Sequence, residues 1–353
     1  MLHNLQIQKI LVKLNNVQSP YDRVKLVKDA IAIADAHNDI EWGLDLRKEL
    51  IAEEKDTSSC VEGLPAFTWI LETYEQNPDL CSESDFMLEY KWMVAAARRN
   101  ANVSMEQFET IIEDYKVRLQ RNGYSLHSYY SARTHMAFML GKMDDAKEYL
   151  ALRKNEKRDD LSFCIACEVH DLTEYEFFTG NIEKALTVGA DLFSGKLDCK
   201  YIPFQTICDF VNILENDNKE KAVELFKMAE TELERMQTID MSNIGYVSEL
   251  ILYLTKTDIQ KAWNYFAKYI EWTKNCEDYY NFQFCKNVLP LLKTEETRKL
   301  NINPDISWYN PKGEYNIKEL YTYYYKQTET LATLFDNRNG NSNFTEMVKK
   351  FKQ

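Results

Sequence analysis

The sequence predicts an all-α protein built from stacked antiparallel helix pairs, an α-solenoid, and three observations favour this fold class. The first is a short pattern ending in alanine, whose alanines recur after 39, 37 and 40 residues. A repeat of this length is typical of helical arrays. The second is the spacing of apolar residues by three and four along the chain. The third is that only 10 Gly and 7 Pro interrupt 353 residues. The pattern occurs at 141–146 (GKMDDA), 180–185 (GNIEKA), 216–222 (NDNKEKA) and 257–262 (TDIQKA).

Helix-start signals divide the first half of the chain. Ser19 followed by Pro20 marks one helix start, because serine caps a helix and proline fits its first turn. Ser104 and Gln107 have the spacing of a capping box, which opens another helix. The first of these helices is expected to end near 37–38, and the next to begin around Asp39. A third is expected to start near Gly63 or Pro65 and to stop at 77–78, and two more follow at about 84–99 and 104–121.

The repeats themselves are expected to alternate an A helix and a B helix joined by a turn. Alanine at the matched place is small because the two helices of a pair cross closely there. No strand pattern is found anywhere in the sequence. The expected pairs are 126–140 with 142–154, 162–179 with 181–193, 200–214 with 218–236, and 241–255 with 258–274.

Residues 180–186 (GNIEKAL), preceded by Tyr175 and Phe178, resemble the middle of a tetratricopeptide repeat. In that repeat an aromatic A helix, a turn glycine and an alanine-led B helix follow one another. The resemblance implies a right-handed tetratricopeptide-like superhelix over residues 1–290. Further segments are similar to uncharacterised bacterial tetratricopeptide-like proteins, a family that supplies no activity. These segments are 158–167, 195–199 and 331–340.

The chain changes character at its C-terminal end. Pro290, Pro304 and Pro311 fall close together, which predicts an irregular connection over 291–315. Two helices are expected after it, at about 316–336 and 343–351. A solenoid needs a terminal element to cover its last apolar face, so residues 316–353 are predicted to cap the array. The alternative is that this arm folds back into the groove of the array.

Composition limits the classes of partner. The net charge is −13, from 56 acidic and 43 basic residues spread along the chain. Such a surface repels phosphate backbones, which disfavours nucleic acid and permits a basic protein partner. The N-terminus lacks the apolar segment of a signal peptide, and no apolar run approaches the roughly 18 residues of a membrane span. We therefore expect a cytoplasmic protein without membrane contact, whose eight cysteines are reduced or metal-bound.

Three cysteines form the sharpest candidate site. Cys164 and Cys167 make a C-x-x-C at the start of one predicted A helix, and Cys199 lies 35 residues after Cys164, near the start of the next. Because stacked repeats bring positions one period apart together, three thiolates are expected to converge. Zinc takes four ligands, so His170 or Asp160 would complete a structural zinc site.

Two other interpretations of these cysteines stay open. Cysteine often behaves as a small buried apolar residue, and Ile165, Ala166 and Cys208 nearby suit an ordinary core. A redox pair is the third interpretation, although the strand-to-helix context of thioredoxin-like motifs is absent from the sequence.

Tyrosine is abundant, with 22 residues. It suits a partner surface because it offers a rigid ring with a polar tip. Consecutive helical residues point about 100° apart, so adjacent tyrosines cannot all face the core. The alternative is that they line the seams between helices. The candidates for partner contact are Tyr129, Tyr130, Tyr279, Tyr280 and Tyr323.

The sequence favours a non-enzymatic scaffold that binds a protein or peptide on its helical surface. No phosphate-binding loop, nucleophile elbow or H-E-x-x-H motif is present in the sequence. Three alternatives remain: a ligand- or peptide-responsive regulator without a helix-turn-helix of its own, an acidic antidote to a basic toxin, and a zinc- or redox-dependent protein centred on the three cysteines.

Overall fold

The computed structural model describes residues 2–55, 60–236 and 241–349, and the chain is mostly α-helical over them. Eighteen α-helices lie in these ranges. They are α1 (Leu2–Leu14), α2 (Pro20–Ala36), α3 (Ile40–Glu54), α4 (Gly63–Gln76), α5 (Met87–Arg99), α6 (Met105–Arg121), α7 (His127–Leu140), α8 (Met143–Asn155), α9 (Ile165–Phe178), α10 (Ile182–Val188), α11 (Ala190–Phe193), α12 (Phe204–Asp217), α13 (Lys219–Arg235), α14 (Ile244–Thr257), α15 (Ile259–Tyr269), α16 (Asp278–Val288), α17 (Ile317–Asn339) and α18 (Asn343–Lys349). None of the described helices is long and apolar enough to cross a lipid bilayer.

Two predicted helix starts are confirmed by their hydrogen bonds. The Ser19 hydroxyl oxygen accepts from the backbone N–H of Asp22 at 3.4 Å, with Pro20 in the first turn of α2. At the start of α6, the Ser104 hydroxyl oxygen accepts from the Gln107 N–H at 3.1 Å. The Gln107 side chain accepts in return from the Ser104 N–H at 2.8 Å. Both caps satisfy backbone donors that the first helical turn leaves unpaired.

The repeated alanines mark close packing within successive helix pairs. Ala146, Ala185, Ala222 and Ala262 are each 0% exposed. They lie on α8, α10, α13 and α15, and these helices pack on α7, α9, α12 and α14 respectively. The A helices also pack on one another, α9 on α12 and α12 on α14. The spacing of the alanines therefore corresponds to one pair of packed helices.

One predicted B helix is broken in two. The sequence predicts a single helix over 181–193, whereas α10 ends at Val188 and α11 begins at Ala190. A Cβ at Gly189 would lie 2.7 Å from the Phe193 ring and 3.1 Å from the Thr173 side chain. Glycine therefore allows the backbone to approach α9 closely at the break.

The segment between α16 and α17 contains two strands that the sequence analysis did not predict. A 3₁₀ turn over Leu291–Lys293 leads into β1 (Thr297–Lys299), which pairs antiparallel with β2 (Glu314–Asn316). Three-residue strands give too short an alternation of polar and apolar residues to be recognised in a sequence. The segment is thus an ordered turn-rich unit.

The C-terminal helices connect distant parts of the chain. Helix α17 packs on α16, and α18 packs on α17. Near the end of α17, Arg338 donates to the backbone carbonyls of Arg98 at 2.8 Å and Asn100 at 3.0 Å. The Phe344 ring stacks on Phe335 with centroids 4.6 Å apart and meets Phe282 at 4.9 Å. The tail therefore covers α16 and also reaches the end of α5.

Further contacts join the N-terminal helices to residues near α16. Arg99 forms an ion pair with Glu277, and the backbone N–H of Ala101 donates to Asp278 at 2.8 Å. The Tyr21 hydroxyl donates to the Lys274 carbonyl at 3.3 Å. Contacts of this kind are not expected between distant units of a simple linear array, in which each repeat touches only its neighbours.

Candidate metal centre

The structure brings the three predicted cysteines together. Cys164 is the N-cap of α9 and Cys167 lies in its first turn, whereas Cys199 lies in the loop between α11 and α12. The Cys164 and Cys167 sulfurs are 3.4 Å apart, and the Cys167 and Cys199 sulfurs are 3.7 Å apart. All three lie within 4.8 Å of one another. The interval of 35 residues in the sequence therefore corresponds to proximity in space.

Backbone donors surround two of these sulfurs. The Cys164 sulfur accepts from the backbone N–H of Cys167 at 3.4 Å. The contact with the Cys167 sulfur and the backbone N–H groups of Tyr201 and Ile202 lower the pKa of Cys199 to about 5. The contact with Cys199 raises the pKa of Cys167. A lowered pKa favours the thiolate form of Cys199, which is the form that binds soft metals.

Lys91 of α5 is the neighbouring cation. Burial lowers the pKa of Lys91 to about 8, against the charges of Cys167, Asp159 and Cys164, which raise it. Its ammonium donates to the Leu161 carbonyl at 2.8 Å. Lys91 is not predictable from the sequence because it precedes the cysteines by more than seventy residues, and no local pattern connects them.

A small apolar cluster supports the site. Ala166, Leu192 and Ile202 are its buried members, and Cys167 and Cys199 pack against them. This cluster is separate from the large cores of the chain. So small a core holds the Cys199 loop through few contacts, and a metal crosslink would add to them.

His170 does not join the three sulfurs. Its ring turns toward α12, where Nδ1 lies 3.0 Å from the Thr206 hydroxyl oxygen, and it belongs to a group with Glu174 and Asp209. Asp160 is exposed and lies outside both groups. Among the described residues, no Cys, His, Asp or Glu supplies a fourth ligand atom at the same spacing. Cys164 is solvent-exposed, so a water molecule can reach the fourth position.

The five candidate tyrosines differ in their exposure. Tyr129 and Tyr280 are buried and cannot present a surface to a partner, which corrects the expectation for these two. The Tyr129 hydroxyl donates to Glu113 at 2.7 Å inside the chain. Tyr130 and Tyr279 are partly buried against the large cores. Tyr323 is 37% exposed and keeps an accessible ring. Four of the five tyrosines therefore lie in the seams between helices.

The sequence analysis also missed a set of carboxylates on the A helices. Glu174, Asp209 and Glu249 follow one another at 35 and 40 residues, nearly the period of the alanines. Burial raises the pKa of Glu174 to about 7, with the charge of Asp171 adding to the effect. Burial and the charges of Glu174 and Glu249 raise the pKa of Asp209. Comparing chemical types at equivalent repeat positions would have found this set.

Comparison with protein-family models, curated proteins and solved structures finds no match to this chain. The tetratricopeptide resemblance therefore stays a prediction.

Proposed function

We propose that this chain is a non-enzymatic helical scaffold that binds a protein or peptide partner and is locked by a zinc ion on Cys164, Cys167 and Cys199. The observation that carries the proposal is the convergence of three sulfurs from consecutive helical units. Zinc bonds sulfur at 2.3 Å, so a tetrahedral site holds its sulfurs about 3.8 Å apart. The intervals of 3.4 and 3.7 Å are close to this value.

Zinc would act here as a crosslink. It would join the start of α9 to the loop that precedes α12, where the apolar cluster is small. The fourth ligand would be water, since Cys164 faces solvent. The finer architecture that we propose is a tetratricopeptide-like right-handed superhelix with added contacts between α5 and the start of α16. The buried alanines at matched places of successive helix pairs support it.

Charge indicates the class of partner. A surface with a net charge of −13 attracts a basic protein or peptide. The salt dependence of binding would then be strong, because salt screens attraction between exposed charges beyond roughly 10 Å. Partners captured from native lysate at low salt should be basic and should be released at high salt. Recovery of no stoichiometric partner across several growth conditions, or of acidic partners only, would refute this part of the proposal.

The zinc part is tested with cobalt, whose thiolate complexes absorb strongly in the near ultraviolet. Reduced, metal-free protein should develop this absorption with about one equivalent of Co²⁺, and Zn²⁺ should abolish it. Cys167→Ser should lose it, whereas Cys208→Ser, at a buried cysteine outside the cluster, should retain it. Absence of the thiolate band in the wild-type protein ends the zinc proposal. Rapid formation of a disulfide in its place would favour the redox interpretation.

A further inference from the structure

A second group of ligand-type side chains lies on the cysteine-bearing helix but faces a different neighbour. His170 and Glu174 stand one turn apart on α9, and Asp209 meets them from α12, with one ligand atom of each within 4.8 Å of the others. His170 Nε2 is 3.5 Å from Glu174 Oε2. Two atoms that bind one ion at about 2.1 Å are roughly 3.0 to 3.5 Å apart. The interval therefore suits an ion shared between them.

Thr206 orients the histidine ring. The Nδ1 atom of His170 lies 3.0 Å from the hydroxyl oxygen of Thr206, which is fully buried. When Nδ1 carries the proton, it donates to this oxygen and leaves the Nε2 lone pair directed at the carboxylates. Metal-bound histidines are held in this way by a polar partner on the other ring nitrogen. His170 is only 7% exposed, so this environment replaces solvent around the ring.

Asp209 supplies an independent indication of ligand binding. Its Oδ2 atom is buried and has no hydrogen-bond partner among the residues that the structure describes. One of its carboxylate oxygens also lies within 4.8 Å of a Glu174 carboxylate oxygen. Two carboxylates at this distance repel one another unless a proton or a cation lies between them, and a buried unpaired oxygen is costly. A cation between them would pair the Oδ2 oxygen and relieve the repulsion.

We propose that His170, Glu174 and Asp209 bind a divalent first-row transition-metal ion, separate from the thiolate cluster. One imidazole nitrogen with two carboxylates suits Mn²⁺ or Zn²⁺, and water molecules complete the coordination. Three thiolates favour Zn²⁺ and disfavour Mn²⁺. The bound ion would connect α9 to α12 on their facing surfaces. This inference does not depend on the zinc ion proposed at the cysteines.

The test uses Mn²⁺ as the probe, because the thiolate cluster disfavours it. Full-length protein is stripped of metal and titrated with Mn²⁺, and free Mn²⁺ is measured by electron paramagnetic resonance. The wild-type protein and a Cys164→Ser/Cys167→Ser variant should each bind about one equivalent. Asp209→Asn should weaken binding at least about tenfold, because it removes a charged ligand. Asp217→Asn, at an exposed acid on the same helix, should bind as the wild type does.

A positioning variant keeps the test decisive if Asp209→Asn does not fold. Thr206→Val retains all three ligands but removes the oxygen that orients His170, so it should weaken Mn²⁺ binding by about 10- to 100-fold. Circular dichroism establishes which variants are folded. Absence of saturable Mn²⁺ uptake by the wild-type protein, or equal uptake by the wild type and both variants, overturns the inference. A cobalt–thiolate band that persists in that case shows that the cysteine proposal stands alone.

Discussion

Replacing Asp171 by asparagine tests a buried ion pair that joins α7, α8 and α9. Asp171 is 2% exposed, its Oδ1 atom lies 2.9 Å from His135 Nε2, and its Oδ2 atom pairs with Arg153, which is 4% exposed. The variant leaves the guanidinium buried with two weaker acceptors, the Ser131 hydroxyl and the Glu168 carbonyl, each at 3.3 Å. Removing one partner of a buried ion pair costs roughly 3 to 5 kcal/mol of the free energy of unfolding. Because two acceptors remain for Arg153, we expect a loss at the low end of this range, about 3 kcal/mol.

The loss of stability in Asp171→Asn should depend on pH. Burial by itself would raise the pKa of Asp171, but the charges of His135 and Arg153 outweigh burial and hold the pKa well below its usual value. A lowered carboxyl pKa contributes stability that is present above the unfolded-state pKa of about 3.9 and is lost as the pH falls through the folded-state value. The difference in the free energy of unfolding between the wild type and Asp171→Asn should therefore be largest near pH 7 and should decrease below about pH 4.

Thermal and urea unfolding, followed by circular dichroism, measure this difference. An entropy of unfolding of about 2.1 cal/mol/K per residue makes 3 kcal/mol equivalent to a decrease in Tm of about 4 °C for a chain of this length. Asp160→Asn is the matched control, because Asp160 is an exposed acid. A loss for Asp171→Asn that equals that of Asp160→Asn, or one that stays constant down to pH 3, would refute the reasoning.

Three other changes give distinct expected outcomes. Chelation of bound zinc should lower the Tm of the wild type and leave that of Cys167→Ser unchanged; an equal decrease in both would contradict the zinc crosslink. Gly141→Ala should destabilise more than Gly123→Ala by about 1 kcal/mol in urea unfolding. Both glycines have positive φ, but a Cβ at Gly141 would displace the Asn343 amide from the Leu140 carbonyl; equal losses would refute this. Phe344→Ala should cost about 3 to 5 kcal/mol and speed proteolysis of the C-terminal helices, and an unchanged digestion rate would argue against their docking.

The sequence was most informative where a local rule decides the structure. The caps at Ser19 and Ser104 depend on residues three apart, and the helices begin where these caps predict. The alanines of successive pairs are buried because any larger side chain would separate the two helices. The break at Gly189 was missed because it depends on the approach of α9, which lies outside any local window.

The candidate site was predictable only in the part that follows the repeat period. Cys164 and Cys199 converge because they occupy nearly equivalent places in neighbouring units. His170 was predicted as a ligand from its spacing to Cys167, but its ring faces α12, and helical spacing alone does not specify which neighbour a side chain meets. Lys91 lies near the thiols through tertiary packing, which a single sequence does not encode locally.

The contacts between the N-terminal helices and the region around α16 affect the order in which the chain can fold. In a linear array, units can form and unravel one at a time from either end. Here Arg99 pairs with Glu277, which lies 178 residues later, and the Tyr21 hydroxyl donates to the carbonyl of Lys274, 253 residues later. During synthesis these contacts can form only after most of the chain has been made. Contacts of such separation slow folding and make the two ends lose structure together, so removing the C-terminal third should expose the first helices as well.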